Sequence, residues 1–366
     1  MSYLYTIATA NPENRHNQAD FVEFYSRATD DEMARRKIKL VAHKSGIAQR
    51  FSVLKDFSLP PASFEFFGKN ACFSPMPQLS ARMAIYQPES LALSLAAVRN
   101  ITNFEAIKPQ ITHIITVTCT GLFAPGLDIE LIEALALSPE TARSSLNFLG
   151  CNAAVLALKQ ADYICRATPN ALVLIVCTEL CTLHFQADFS DDYILSNLLF
   201  ADGAAAALVG SAPPSAALGY PAALQLEAFR SRVVREGKND MAWRLSEDGF
   251  IMNLTAYVSP LLNQYMPALL DAMHIADSET THWAIHPGGK RILDDFCKNM
   301  NLPNKKLENS YQTLSDFGNM SSPTILFVLK RLMDSQKMQP NDTVAMAAFG
   351  PGLNIEMGVL RYVAPE

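Results

Sequence analysis

The 366-residue sequence predicts an α/β fold with buried sheets. Two runs carry that prediction: His113-Ile-Ile-Thr-Val-Thr-Cys119 and Ala171-Leu-Val-Leu-Ile-Val-Cys177 are nearly continuous apolar and β-branched stretches, the pattern of strands buried on both faces. Segments of helical periodicity stand between and around them, so strand and helix alternate. The same succession of elements then recurs after residues 210–223, Gly-Ser-Ala-Pro-Pro-Ser-Ala-Ala-Leu-Gly-Tyr-Pro-Ala-Ala. This Pro-, Ser- and Ala-rich stretch suits a boundary, dividing the chain into 1–212 and 213–366. The halves do not visibly repeat in sequence, so duplication is hinted at by topology alone.

In chain order, Tyr3 to Ala10 reads as a strand closed by the turn Asn11-Pro12. Phe21 to about Val41 reads as one helix carrying Arg35, Arg36, Lys37 and Lys39, with Lys44 and Arg50 just beyond. By itself such a cluster is most simply a solvated helix face. Residues 56–80, rich in Phe, Pro and Ser, form a loop region, and Pro88 to about Asn103 an amphipathic helix. The first buried strand breaks at Thr120-Gly-Leu-Phe-Ala-Pro-Gly126, ahead of a helix from Asp128 to about Leu137. Residues 203–210 give a third strand. In the second half a helix spans Tyr257 to about His274, and His282 to Ile285 is a strand. Helices follow from Arg291 and, after Gly318-Asn319, through Leu332. Strands at Val344–Phe349 and Asn354–Val363 close the chain, with the loop Gly350-Pro-Gly352 between them.

Composition narrows the function. With 49% apolar and 18% charged residues, the chain is a compact globular protein rather than a disordered one. The net charge of −6 provides no basic field, which argues against nucleic acid as a partner; an anionic ligand would need a local patch. The seven cysteines (72, 119, 151, 165, 177, 181, 297) are scattered, unlike a secreted disulfide scaffold, so a reducing, cytoplasmic setting is expected. Met1 to Asn11 lacks the features of a signal peptide, and no run of about 18 apolar residues predicts a membrane span.

The chemistry centres on Leu146-Asn-Phe-Leu-Gly-Cys151-Asn-Ala-Ala-Val-Leu-Ala-Leu158. Gly150 allows a sharp turn, Asn152 is positioned as a cap, and a helix follows to about Arg166. Cys151 thus sits at a helix N-terminus, where partial positive charge favours thiolate. Alone, it would more simply be a buried structural cysteine. Two segments of the second half alter the balance. His286, in Trp283-Ala-Ile-His-Pro-Gly-Gly289, ends a buried strand at a Gly-rich turn. Asn319, in Asp316-Phe-Gly-Asn-Met-Ser-Ser-Pro323, sits on a loop before a helix. A thiolate paired with imidazole is an activated nucleophile, while imidazole and amide N–H groups donate to an enolate or thioester oxyanion. Such equipment suits acyl transfer and carbon–carbon condensation of thioesters.

Ala8-Thr-Ala-Asn-Pro12, Gly150-Cys151, Phe200-Ala-Asp-Gly-Ala204, His286-Pro-Gly-Gly289, Gly318-Asn-Met-Ser-Ser322 and Phe349-Gly-Pro-Gly352 resemble, in order and spacing, the signature blocks of type III polyketide synthases, the chalcone synthase group. The resemblance implies a thiolase-like fold, five-layered αβαβα built from two similar halves, and a homodimer. It also implies malonyl-CoA and acyl-CoA as substrates, with no metal or redox cofactor. Cys151 matches the nucleophile that takes the starter acyl group. His286 and Asn319 match the pair that drives malonyl-CoA decarboxylation. Phe200 matches a phenylalanine between CoA tunnel and cavity, Ser321 a serine of the cavity floor, and Pro351 lies in the loop beside it. Lys37 and Lys44 fall where the family's basic helix meets CoA phosphates, but Leu40 stands where an arginine is common.

The cavity positions depart from the plant enzymes. Cys119 replaces a usual threonine, and Ala124 a methionine that reaches the neighbouring subunit's cavity. Cys181, Leu183 and His184 replace smaller or hydroxylated residues. Cys119 and Ala124 resemble bacterial members, which points to a fatty acyl starter and a pyrone or resorcinol/phloroglucinol-type product; Leu183 and His184 could instead narrow the cavity for a smaller starter. Cys177-x3-Cys181-x2-His184 is a poor metal site, because strand alternation would turn both cysteines away from His184 and no fourth ligand is near. The remaining alternatives are an acyl-carrier-dependent ketoacyl synthase and a non-catalytic acyl-CoA-binding protein of the same fold.

Overall fold

The computed structural model describes residues 1–216, 219–255, 257–273, 275 and 282–364. The expected helix end at His274 and part of the 210–223 divider lie outside the described residues. The chain opens with β1 (Ser2–Ala10), β2 (Asn14–Asn17), α1 (Gln18–Arg27), α2 (Glu32–Lys44) and β3 (Gln49–Ser52). Next come α3 (Leu79–Arg99), α4 (Phe104–Ile107), β4 (His113–Thr118), α5 (Leu127–Ala134), β5 (Ala142–Asn147) and α6 (Ala153–Ala167). Then β6 (Leu172–Leu180), α7 (Asp191–Leu199) and β7 (Asp202–Gly210) complete the first half. The second holds β8 (Ala223–Val233), β9 (Met241–Ser246), β10 (Gly249–Leu254), α8 (Val258–Ala272), β11 (His282–Ile285) and α9 (Lys290–Asn299). It ends with α10 (Glu308–Phe317), α11 (Thr324–Asp334), β12 (Thr343–Gly350) and β13 (Asn354–Val363).

Nine strands join in the order β11-β12-β13-β8-β1-β7-β6-β4-β5. The sheets of the two halves meet where Ser2, Tyr3 and Leu4 of β1 pair antiparallel with Leu226, Gln225 and Leu224 of β8. Successive residues of a strand face opposite sides, and here those sides belong to different cores. Ile115, Val173, Ile175, Ala205 and Ala207 of the first half share a central core with Val344, Met346 and Ala348 of the second. Their neighbours Ile114, Leu174, Val176 and Ala206 pack outward with Ala97 and Val98 of α3. Ala345 and Ala347 pack outward with Leu262 of α8 and Leu293 of α9. The central core is filled by α6, through Ala153, Ala154, Ala157, Leu158 and Ala161, and by α11, through Ile325, Leu326, Val328 and Leu329. The alanines of α6 let helix and sheet approach closely. The result is the five-layered αβαβα arrangement, with α6 and α11 in the middle and β4, β6, β7 and β12 almost wholly buried.

Several elements differ from expectation. The helix read over 21–41 is two helices, because Asp31 accepts from the Met33 N–H at 2.8 Å and starts a new one. Helix α3 starts at Leu79 rather than Pro88. Buried Arg82 and Tyr86 anchor its first turns, the guanidinium to the Pro77 carbonyl at 3.0 Å and the phenol to Thr118 at 2.7 Å, which outweighs the hydrogen bond that Pro88 removes. Helices α7 and α10 and the β9–β10 hairpin were not expected. Asp248-Gly249, with Gly249 at φ +130°, is the turn signal that marks the hairpin. No described helix is long and apolar enough to cross a membrane.

Candidate active site

The turn into Cys151 is shaped by two left-handed residues, Phe148 (φ +59°) and Gly150 (φ +80°). A Cβ on Gly150 would lie 2.2 Å from Cδ of Pro351, so only glycine lets the loop of the second half close over this turn. Cys151 follows, buried, immediately before Asn152 at the start of α6. Asn152 does not cap the helix with its side chain as expected. It presses against Gly350, where a Cβ would come within 2.1 Å of its Oδ1.

His286 continues the β11–β12 ladder, its N–H donating to the Ala347 carbonyl at 2.8 Å. The ring is buried, and neither nitrogen has a hydrogen-bond partner. Asn319 is held in the backbone by two bonds flanking Phe200: its N–H to the Leu199 carbonyl (3.1 Å) and its own carbonyl from the Ala201 N–H (2.9 Å). Its Oδ1 accepts from the Ser321 N–H at 2.8 Å, which orients the amide and leaves Nδ2 as its donor. The Cys151 sulfur lies 3.9 Å from that Oδ1. Cys151, His286, Asn319, Phe200, Cys119, Ser321 and Pro351 all line one cavity, with Met241, Trp243 and Met252 of the hairpin as its far wall.

Burial dominates the electrostatics. It pushes the Cys151 thiol up to about 11, with the Ser321 hydroxyl and Asn319 opposing and Glu179 reinforcing the rise. It pushes His286 down to about 3. Each group alone is therefore driven toward its neutral form. A thiolate–imidazolium pair carries no net charge, so passing the sulfur's proton to the unpartnered imidazole is how this cavity can hold the charges that chemistry needs.

The other expected residues divide. Cys119, its sulfur 3.3 Å from the Ser321 hydroxyl, lines the catalytic cavity and also an inner one that Cys181 and His184 help enclose. Leu183 lines neither: it is fully buried in the outer core, because the turn after β6 points it there. Ala124 is exposed on its loop and lines neither cavity of the single chain. Lys37 pairs with Asp191 of α7, and Lys44 lines a surface groove. Cys181 and His184 face the same cavity, contrary to strand alternation, because β6 ends at Leu180 and a tight turn follows. His184 spends both nitrogens on the backbone: Nε2–H donates to the Thr120 carbonyl (2.7 Å) and Nδ1 accepts from the Phe250 N–H (3.1 Å). Neither is left for a metal, and Cys177 faces the central core.

Burial lowers His184 from 6.5 to about 3, so between those values the unfolded chain binds a proton that the folded chain refuses. Stability is lost as pH falls below about 6.5, by at most about 1.4 kcal/mol per pH unit from this ring. His184→Gln is expected to flatten the urea midpoint between pH 6.5 and 5; an unchanged slope would contradict this reading.

Sequence reasoning missed several residues of the site, Glu179 and Trp243 foremost. Glu179, fully buried, accepts from the Cys119 N–H (2.8 Å), the Thr120 hydroxyl (2.8 Å) and, from the other half, the Ser322 hydroxyl (2.6 Å). A lone carboxylate at the end of the apolar run 171–183 was the available signal. Trp243 donates its indole N–H to the Cys119 carbonyl at 2.6 Å and stands between the two cavities, lining both.

A thiol, an imidazole and an amide brought together between the halves of this five-layered fold define a thiolase-like acyltransferase. Residues 1–213 match the family model for the N-terminal domain of chalcone and stilbene synthases, and residues 225–364 the model for their C-terminal domain. The chain belongs to the chalcone and stilbene synthase family, type III polyketide synthases that use CoA thioesters. Over 99% of its length it is similar to the C-terminal type III polyketide synthase domain of Steely1, a type I/III hybrid from Dictyostelium (26% identity, TM-score 0.89, 99% of that chain). It shares its fold with PKS-I from the brown alga Ectocarpus siliculosus (22% identity, TM-score 0.88, 99% of this chain and 98% of that one).

Proposed function

We propose that the protein builds a polyketide on Cys151 from a short acyl-CoA starter, by repeated decarboxylative condensation with malonyl-CoA, and releases it by cyclisation to a pyrone or resorcinol/phloroglucinol-type ring. The observation that carries this reading is the buried His286 ring with two unpartnered nitrogens, lining the same closed cavity as Cys151 and Asn319. The Cys151 thiol loses its proton to His286, the sulfur attacks the starter thioester, and CoA leaves as the thiol on taking up that proton. Malonyl-CoA then loses CO2, and its bond electrons become an acetyl-CoA enolate whose oxygen meets the His286 N–H and Asn319 Nδ2–H. The enolate carbon attacks the Cys151 thioester and expels the sulfur, leaving a β-ketoacyl-CoA for another round. Phe200 and Ser321 shape the cavity and Pro351 fixes the nucleophile turn.

A short starter is preferred over the fatty acyl chain suggested by Cys119 and Ala124. The catalytic cavity is small, and Trp243 and Met252, with the stacked His184–Phe250 pair (centroids 4.3 Å apart) behind them, stand between it and the inner cavity. A bacterial-type affinity rests on Cys119 and Ala124 alone. The homodimer remains part of the proposal: the exposed loop with Leu122 and Ala124 follows β4, at the same sheet end as exposed Leu149 after the edge strand β5. The test is incubation of malonyl-CoA with acetyl-, aromatic and C8 to C16 acyl-CoAs, read by mass spectrometry beside Cys151→Ala. Cyclised products from short starters that vanish in the variant are expected. A product that survives without Cys151 overturns the mechanism, preference for C8 to C16 overturns the starter, and turnover only of carrier-bound acyl groups makes the protein a ketoacyl synthase.

A further inference from the structure

We propose that Lys290 and Arg291, with Lys44 facing them, bind the phosphates of CoA thioesters. The inference rests on the function proposed above and adds a phosphate site drawn from the second half of the chain. A groove of about 420 Å³ runs along the surface between α2 and the start of α9. It shares Leu254, Gly288 and Ile292 with the catalytic cavity, so the two adjoin. Its floor is apolar, with Leu40, Leu195, Leu198 and Val258, and suits a pantetheine arm. Its cations are Lys44 on one side and Lys290 and Arg291 on the other. In a chain of net charge −6 this is a local positive rim at the mouth of the site.

The geometry ties the two sides together. Gly46, two residues past Lys44, has φ +74°, and a Cβ there would meet Cδ of Lys290 at 3.1 Å; the lysine stem lies across that turn. Lys290 Nζ is steadied by Asp294 one helical turn on (2.6 Å), and Arg291 Nε lies 3.5 Å from Asp295, which also accepts from the Ser259 hydroxyl (2.5 Å). Arg291 is exposed, and Lys44 is exposed with no ion pair among the described residues. Two cations in the first turn of a ten-residue helix oppose its dipole. An anionic ligand at this end would reverse that penalty, and Arg291 presents the planar donor fork that phosphate favours. Leu40, half exposed, supplies only apolar wall on the α2 side of the groove.

The experiment compares malonyl-CoA with malonyl-pantetheine, which keeps the acyl group and arm but has no phosphate. In the Lys290→Ala/Arg291→Ala protein, KM for malonyl-CoA is expected to rise roughly tenfold with little change in kcat, and KM for malonyl-pantetheine to move by less than about twofold. Added salt should raise KM for malonyl-CoA in the parent enzyme and much less in the variant. Leu40→Arg introduced into that variant should recover part of the lost affinity, which a merely structural role would not allow. Equal loss for both thioesters, or no loss for either, overturns the proposal. Calorimetric binding of free CoA and pantetheine reads the same contrast without turnover, so failure of the site and failure of the synthase reading are distinguishable.

Discussion

Replacing His286 by alanine is expected to abolish product formation and malonyl-CoA decarboxylation together, each by about 10³-fold or more. The imidazole is asked to do two things in the same cavity: take the Cys151 proton and donate to the enolate oxygen. Its removal leaves one oxyanion donor, Asn319, whose own loss should cost roughly 10²- to 10³-fold. It also leaves Cys151 without a proton acceptor in a site whose burial pushes the thiol up to about 11. Thiolate is then a minor species at neutral pH, and alkylation by iodoacetamide should slow at pH 7 and climb about tenfold per pH unit toward that value. Cys151→Ala provides the contrast, because decarboxylation does not use the sulfur; it should make no polyketide yet still release CO2 from malonyl-CoA. Measuring CO2, product and alkylation across the three proteins separates the two tasks. Normal decarboxylation in His286→Ala would remove the imidazole from the enolate step.

Trp243→Gly should lengthen the products. The indole stands opposite Met252 across the hairpin and, with Cys119, Phe200, Met252 and Ser321, lines both the catalytic cavity and the inner cavity bounded by Cys181 and His184. Edge-on contacts to His184 and Phe250, at centroid distances of 5.7 and 5.9 Å, and the bond to the Cys119 carbonyl keep it there. Removing it joins the two spaces and should admit additional malonyl units or a bulkier starter, seen as heavier products by mass spectrometry. The truncation costs stability, about 3–5 kcal/mol for a well-packed large aromatic and less for this half-buried one. Trp243→Phe is therefore the companion variant: it keeps most of the wall and loses the hydrogen bond. Heavier products in the glycine variant alone would assign the effect to volume. An unchanged product range in an active glycine variant would show that the indole does not limit the chain.

Much of the site was legible because its residues sit in blocks whose local chemistry is unusual. Gly150-Cys151 before an Ala-rich helix, a strand-end histidine entering Gly288-Gly289, and Asn319 between glycine and serines each mark the end of an element. Near-continuous apolar runs likewise marked β4 and β6 as strands buried on both faces, as they are. Leu183 shows the limit of such reading. It lies between Cys181 and His184, yet the tight turn sends it into the outer core while its neighbours line the inner cavity.

The sequence by itself determined the α/β class and put a thiol, an imidazole and an amide at element ends, because both follow from local periodicity and residue type. Only the tertiary structure decided what surrounds them. Glu179 ties Cys119 to Ser322, residues 203 positions apart in the chain, and Trp243 walls a cavity that it shares with Cys151, 92 residues earlier. Lys290 reaches the rim of Lys44 from the other half. Contacts over such separations depend on how α6 and α11 bring the two sheets together, and no short window of residues encodes that packing.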